Sequence, residues 1–554
     1  MARMEESLIP TTWTTSWSDM NNTGTWRTAT PVYQNRLSPC HMACPVNGAI
    51  PTWIEQLEKG EFHKAWSALM ENNPFPSITG RVCHHPCESF CNRSQYDEKI
   101  SIKMLERYIG DLALENGWHL SPKGVSQKKE AVAIVGGGPA GLSAAYHLSL
   151  KGYRAEIFET HQELGGLMRY GIPSYRLPRN VLDQEIDRLL QVGIKVHTGA
   201  DVTGAEDYRR LQREYNAVFV ATGAQRSRDF PELDDGSGML LDGLNFLSQV
   251  NMNMTPTLGQ NVIIVGGGNT AIDAARVAKR LGAGQVTIVY RRTEEQMPCQ
   301  EIEIIEAKEE GIGFSFLAYP TKIDRGNGAA KLICQKMRLG EKDSSGRPSP
   351  EVIEDAYFEL KADNVVIAIG TESVIPEIDK IEADSLLHVN KNQETSIKGL
   401  FAGGDLTSTE RFVSSALGAG KKAAEGIDLF LGGSRVETAS DEKAVSYEEV
   451  NTFYFPKGTG IENTSLPASE RLKNFEEVQL GISDEQALTE AQRCFVCGQC
   501  VTCDNCFYYC PDMAISRNGA GDTGYMVLDQ YCKGCGLCVK ECPRGAIVLR
   551  EEIR

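Results

Sequence analysis

Residues 131–141 read Ala131-Val-Ala-Ile-Val-Gly136-Gly-Gly138-Pro139-Ala140-Gly141. A short β-branched run feeds a glycine-rich turn, and a helical pattern follows it. Gly136 allows the tight turn, Gly138 lets a pyrophosphate approach the backbone, and Gly141 lets the helix pack on the strand. Pro139 and Ala140 open that helix, whose N-terminus offers free N–H groups and a favourable dipole to phosphates. The next strand ends at Glu159, twenty-three residues after Gly136, where a carboxylate can hold a ribose hydroxyl. Strand, turn, helix and distal acid together specify a dinucleotide site far better than the glycines alone. Residues 131–150 carry no Asp, Glu, Lys or Arg, but the glycine turn fits a buried nucleotide unit better than a membrane span.

The pattern recurs as Val262-Ile-Ile-Val-Gly266-Gly-Gly268-Asn269-Thr270-Ala271. Here the next strand, residues 286–290, runs into Arg291 and Arg292 with no acid at its end. A carboxylate repels a 2′-phosphate and arginine welcomes it, so this unit leans to NADP over NAD. From Glu130 to about Gly370, short β-branched runs alternate with helical patterns, which predicts parallel α/β sheets.

Fifteen of the seventeen cysteines stand in iron–sulfur spacing at the two ends of the chain. The C-terminal set is Cys494, Cys497, Cys500, Cys503, Cys506 and Cys510-Pro511, then Cys532, Cys535, Cys538 and Cys542-Pro543. The N-terminal set is Cys40, Cys44-Pro45, Cys83, Cys87 and Cys91. Repeated Cys-x2-Cys-x2-Cys-x3-Cys-Pro looks like a two-cluster ferredoxin, in which the fourth cysteine of each motif serves the other cluster. One cluster then takes Cys500, Cys503, Cys506 and Cys542, and the other Cys532, Cys535, Cys538 and Cys510. A zinc site needs only one closed set of four ligands. Cys299 and Cys334 have no partners at ligand spacing and read as ordinary buried thiols.

The chain has 554 residues, 41% apolar and 24% charged, with a net charge of −17. That length implies several domains. The acidic balance argues against nucleic acid, which needs a basic footprint. Tight cysteine spacing, an odd count and a start without a charged-then-apolar leader point to a reducing, cytoplasmic setting. Residues 1–39 read as an extended arm, 40–127 as a helical iron–sulfur domain, 434–493 as a polar linker and 494–554 as the ferredoxin module.

The stretches CPVNGAIP, NNPFPSITGRVCHHPCESFCNR, VAIVGGGPAGLSAAYHLSLKGY, ELGGLMRYGIPSYRLP, VFVATGA, VIIVGGGNTAIDAARVAKRLGA, VTIVYRRTEEQMP, VVIAIGT and GLFAGGD run from Cys40 to about Gly433. In these the chain resembles the small subunit of bacterial glutamate synthase and its relatives. The relatives include the NADPH-binding subunit of electron-bifurcating transhydrogenase, the N-terminal half of dihydropyrimidine dehydrogenase and the flavoprotein partner of dissimilatory sulfite reductase. The resemblance implies a multidomain α/β chain: a helical iron–sulfur domain, two Rossmann-like nucleotide domains and a C-terminal α+β ferredoxin-like domain. FAD belongs to 128–243 and 371–433, and the inserted NAD(P)H domain to 244–370. Gly165, Gly166 and Leu167 lie along the flavin, Thr222 and Gly223 join the FAD site, and Gly404 and Asp405 take its ribityl and pyrophosphate. Val413 begins the helix facing the isoalloxazine, and Gly370 joins the nicotinamide site.

The family also bears on the seven cysteines the ferredoxin pattern leaves over. Its relatives carry an Arg-Cys-x2-Cys element just ahead of Cys-x3-Cys-Pro. This chain has none before Cys40 but has one at Arg493-Cys494-Phe-Val-Cys497. Cys494 and Cys497 are therefore expected to fold back onto a cluster with Cys40 and Cys91. Cys44, Cys83 and Cys87 take the other N-terminal cluster, with Glu106 in the place of a non-cysteine ligand. The total is four 4Fe–4S clusters. The implied activity is electron transfer between NAD(P)H and a separate redox subunit or ferredoxin, of sulfite reductase, 2-oxoacid oxidoreductase or glutamate synthase type. The small subunit of glutamate synthase itself, or the reverse reduction of NAD(P)+, is the alternative. No side chain is expected to serve as an acid or base, and the two nucleotide domains are expected to swing.

Overall fold

A computed structural model describes residues 22–120, 125–233, 236, 238–325, 330–343, 346–378, 380–433, 443–517 and 523–552. Two five-stranded parallel sheets form its centre. The first runs Leu400–Ala402, Ala217–Val220, Ala131–Val135, Arg154–Glu159, Lys195–Thr198. Ala131–Val135 is buried at every position, as a central strand covered on both faces must be. Helices Pro139–Leu150 and Val413–Phe430 lie together on this sheet, and Gly420 lets them touch: a Cβ there would strike the Ala140 carbonyl oxygen.

The second sheet runs Gly313–Phe316, Gln285–Tyr290, Asn261–Val265, Asn364–Ile367, Leu240–Asp242. A three-stranded antiparallel sheet, Ala318–Asp324, Lys331–Lys342 and Pro348–Lys361, extends this domain. Leu240–Asp242 corrects the boundary expected at 243/244. It pairs with Asn364–Ile367, so the second domain begins before Leu240. Three residues are too short to show a period in sequence. Arg226–Ser227 and Thr371–Glu372 pair as a small ribbon where the chain crosses between the domains.

The N-terminal domain is helical, with Ile50–Glu58, Phe62–Met70, Pro76–Val82 and Ile102–Glu115. Trp53 and Trp66 are 1% and 0% exposed. Each contributes at most about 5 kcal/mol of hydrophobic burial. Their core is continuous with that of the flavin domain.

The expected linker is instead a packed strap. Residues 434–442 lie outside the described set, but from 443 onward the chain is held at many points. Val445 N donates to Leu37 O (3.0 Å) and Val478 N to Tyr175 O (3.0 Å). Val478 is buried with the second sheet's helices. Glu477 takes Arg81 (2.7 Å) and Arg107 (3.0 Å). Helix Asp484–Arg493 packs on Ile50–Glu58 and Ile102–Glu115. These anchors are spaced by tertiary contacts, so no regular period marks them in sequence.

The expected arm is likewise ordered where it is described. Ala29–Tyr33 pairs antiparallel with Ile547–Glu551, joining the two ends of the chain, whereas residues 1–21 lie outside the described set. Among the described residues no helix is long and apolar enough to cross a membrane.

Candidate cofactor and cluster sites

The first glycine turn opens onto a cavity of about 550 Å3, within the usual range for small-molecule sites. Gly136, Gly138, Pro139, Ala140, Glu159, Gly166, Leu167, Thr222, Gly223, Gly404 and Asp405 all line it. Gly141 and Val413 do not. A Cβ on Gly141 would strike the Gly136 carbonyl oxygen, so this glycine serves packing. Val413 starts the helix beside the cavity, whose wall includes Ala416.

Gly138 tests whether a dinucleotide fits. A Cβ there would meet only Gly166 Cα, at 3.8 Å. The protein's own packing does not demand glycine at this point, so the turn leaves a cradle in front of the helix N-terminus. Thr222 Oγ1 is buried without a partner on the same wall. The two Glu159 oxygens accept Gly137 N (2.7 Å) and His161 N (2.9 Å), which fixes the carboxylate and leaves lone pairs for hydroxyls. Burial pushes the Asp405 carboxyl up to about 6, with Arg411 pulling the other way. The residues present fit FAD. The walls also include Asp201, Thr203, Tyr208 and residues 374–377, which the sequence marked with no motif.

The second turn repeats this geometry. Gly266 (φ 141°) would strike Ala368 O with a Cβ, whereas a Cβ on Gly268 would meet only Pro298 Cγ, at 3.9 Å. Asn269 begins the helix Asn269–Arg280, with Thr270 and Ala271 following in its first turn. Asn269 Nδ2 meets His84 Nε2 of the iron–sulfur domain at 3.0 Å, and its Oδ1 is buried without a partner. Burial holds the His84 imidazole down at about 4. Gly370 follows the strand Asn364–Ile367, at φ 115°. The arginine pair divides. Arg291 is exposed, whereas Arg292 is buried and donates to Pro348 O (2.8 Å) and Asp343 (2.7 Å). Arg292 is thus engaged within the protein, and Arg291 is the exposed member of the pair.

The cysteines form four groups. Cys44, Cys83, Cys87 and Glu106 line one pocket together with Ser414, from the helix that starts at Val413. Glu106 Oε1 accepts Asn73 Nδ2 (2.5 Å) and Thr79 Oγ1 (2.7 Å). Its Oε2 faces His85 Nε2 at 3.4 Å. Cys40, Cys91, Cys494 and Cys497 are electrostatic neighbours in a second group, with Asn92 Nδ2 3.5 Å from Cys497 Sγ. Cys500, Cys503, Cys506 and Cys542 line a third pocket, and Cys510, Cys532, Cys535 and Cys538 a fourth.

Burial drives most of these thiols upward, Cys44 to about 12 and Cys497 to about 11. Cys83 is held below its ordinary value, because His85 outweighs the burial. Coordination to iron removes such protons outright. Among the described residues no group of three or more His, Cys, Asp or Glu side chains is placed to hold a single metal ion. Cys299 is half-buried and Cys334 fully buried, both apart from these groups.

Two dinucleotide turns on parallel sheets and cysteine-rich domains at both ends define an iron–sulfur flavoprotein that handles nicotinamides. The chain belongs to the pyridine nucleotide-disulphide oxidoreductase family, whose model matches residues 130–423. Residues 17–118 match the dihydropyrimidine dehydrogenase domain II 4Fe-4S model, and 526–548 a 4Fe-4S binding domain. It is 35% identical to the NADP(+)-dependent formate dehydrogenase subunit beta of Moorella thermoacetica, over 83% of this chain and 70% of that one. It is 33% identical to the NADPH-Fe(3+) oxidoreductase subunit beta of Geobacter sulfurreducens (strain DL-1 / KN400), over 83% and 75%. It is 32% identical to the glutamate synthase [NADPH] small chain of Azospirillum brasilense, over 71% and 86%. The chain is thus an FAD-dependent NAD(P)H oxidoreductase with iron–sulfur clusters, and its relatives are subunits of larger enzymes.

Proposed function

We propose that this chain passes electrons between NADPH and a separate redox subunit through FAD and four 4Fe–4S clusters. The observation that carries this reading is Ser414. It stands in the pocket of Cys44, Cys83, Cys87 and Glu106 and also one residue into the helix beside the flavin cavity. FAD bound there would take a hydride from NADPH and release two electrons one at a time, the conversion that joins nicotinamide to iron–sulfur chemistry.

The residues of the chain bind and orient. Gly138 and the helix after it would receive the FAD pyrophosphate, and Glu159 its ribose. Gly268 would admit the nicotinamide dinucleotide, and Arg291 would meet a 2′-phosphate. The proposed domains are an iron–sulfur domain to residue 127, an FAD domain in two segments, an NADPH domain from about 240 to 370, the strap, and the ferredoxin module from 494.

No cysteine lines the flavin cavity among the described residues. The thiol groups beyond Ser414 are therefore the exit, and Glu106 takes the sixteenth ligand place. Clusters held by the Cys44 group, the Cys40 group and the ferredoxin module would supply one-electron carriers in that order. We place the protein in the reducing cytoplasm, where such thiolates persist. The partner is a separate redox subunit. The ferredoxin module favours this reading over the glutamate synthase small subunit, which usually lacks one.

Anaerobic mixing with NADPH should bleach the flavin and cluster absorbance faster than NADH does, and the chain should hold sixteen irons. Cys494→Ser should remove an N-terminal paramagnetic resonance signal and spare the ferredoxin pair. Loss confined to the ferredoxin signals would refute the fold-back assignment.

A further inference from the structure

Among the described residues, buried or half-buried arginines around the cluster groups have carboxylate partners, with one exception. Arg93 holds Asp97 (2.5 Å), Arg493 holds Glu490 (2.8 Å) and Arg36 holds Glu449 (2.8 Å). Arg544 forms no ion pair among the described residues. Glu58 feels its charge but lies beyond ion-pair reach. Its Nε is buried without a partner. Its guanidinium sits 4.8 Å from the Phe455 ring centre, and Nη1 donates to the Cys494 carbonyl oxygen at 3.0 Å. An unbalanced cation in such a place is costly unless a negative charge lies nearby.

The position of Arg544 supplies that charge. It follows Cys542-Pro543 and lines the pocket of Cys500, Cys503, Cys506 and Cys542. Its bond to the Cys494 carbonyl also sets the guanidinium beside the group that holds Cys494 and Cys497. The backbone repeats the link, since Gly498 N donates to Arg544 O (2.6 Å). The side chain therefore stands where the N-terminal domain meets the ferredoxin module, between two thiolate groups.

We infer that Arg544 is a shared counter-charge for the two clusters at this junction, raising both reduction potentials and making the pair the resting place of an electron in transit. This rests on the four-cluster reading. One electron entering either cluster adds one negative charge. No bond forms or breaks and no proton moves, because guanidinium stays protonated throughout. Net charge and hydrogen bonding around a cluster are among the factors that set its potential.

The test compares Arg544→Gln, Arg544→Met and Arg544→Lys in the full chain, by iron content and by paramagnetic resonance at stepped potentials. In the Gln and Met variants the same two of four signals should require about a tenfold change in reduced-to-oxidised ratio, about 59 mV for one electron, to lower potential. Lys should keep both near the parental values, and the other two signals should not move in any variant. Unmoved signals with full iron overturn the inference. So do a Lys variant displaced as far as Gln, and iron loss in both neutral variants, which would make Arg544 an anchor. The four-cluster reading fails on a different measurement, the iron count of the parent chain.

Discussion

The two glycine turns share a local design and differ in what surrounds them. In both, a Cβ on the first glycine would strike a carbonyl across the sheet, whereas the third position of the turn is open. The first turn faces a deep cavity within its own domain. The second faces another domain, where His84 meets Asn269 and Gln300 Nε2 reaches Cys83 O at 3.4 Å. A buried ionic network holds that arrangement. Arg176 takes Asp273 (2.7 Å) and Glu303 (2.5 Å), and Arg276 takes Glu306 (2.8 Å) and Glu310 (2.6 Å). The strap adds Arg471 to Glu309 at 2.8 Å. One turn thus faces a cavity inside its own domain, and the other lies against contacts made by the iron–sulfur domain and the strap.

The largest effect expected separates the turns directly. Gly141→Val should abolish FAD incorporation, because the helix can no longer pack on the turn. Gly268→Ala should leave fold and FAD content intact and weaken NADPH binding about tenfold or more. Equal FAD loss in both variants would break the comparison.

Next comes the network. Arg176→Gln leaves Asp273 and Glu303 buried without their partner, a cost on the order of 3 kcal/mol. Hydrogen exchange should speed up across 261–367 and stay unchanged across 131–220. A uniform increase would mean the network holds the whole molecule rather than one domain.

A smaller change is expected at the arginine pair. Arg291→Ala should reduce the preference for NADPH over NADH by about tenfold, the value of a charge-assisted phosphate contact. Arg292→Ala should leave the ratio of kcat/KM values alone and lower Tm, since the bonds of Arg292 to Pro348 O and Asp343 are then lost.

A pH dependence is expected in the first site. The folded Asp405 carboxyl is raised to about 6. Its contribution is therefore fully present below the ordinary carboxylate value and is lost as pH rises through 6. Urea unfolding of flavin-free protein should show stability falling between about pH 4 and 7, by up to about 3 kcal/mol. Asp405→Asn should flatten that slope.

Local chemistry made the two turns legible. Glycine spacing, Glu159 and the cysteine intervals are short-range patterns, and each dictates a backbone shape or a ligand set within a few residues. The strap was not legible, because Glu477, Val478 and Arg471 each answer to a different distant element. Nor was the fate of Arg292, which depends on a hairpin more than fifty residues later in the chain. The cavity wall at 374–377 is set by the ribbon between Arg226–Ser227 and Thr371–Glu372, a pairing with no signature in either segment.

The meeting of the two chain ends has a consequence for how the protein is made. Cys40 and Cys91 leave the ribosome about 400 residues before Cys494, or about 20 to 80 s earlier at typical rates of synthesis. Strand Ala29–Tyr33 waits as long for Ile547–Glu551. On the proposed ligand assignment, metal loading of that junction follows the synthesis of Cys494 and Cys497, because a chain interrupted before residue 494 lacks two of the four thiols.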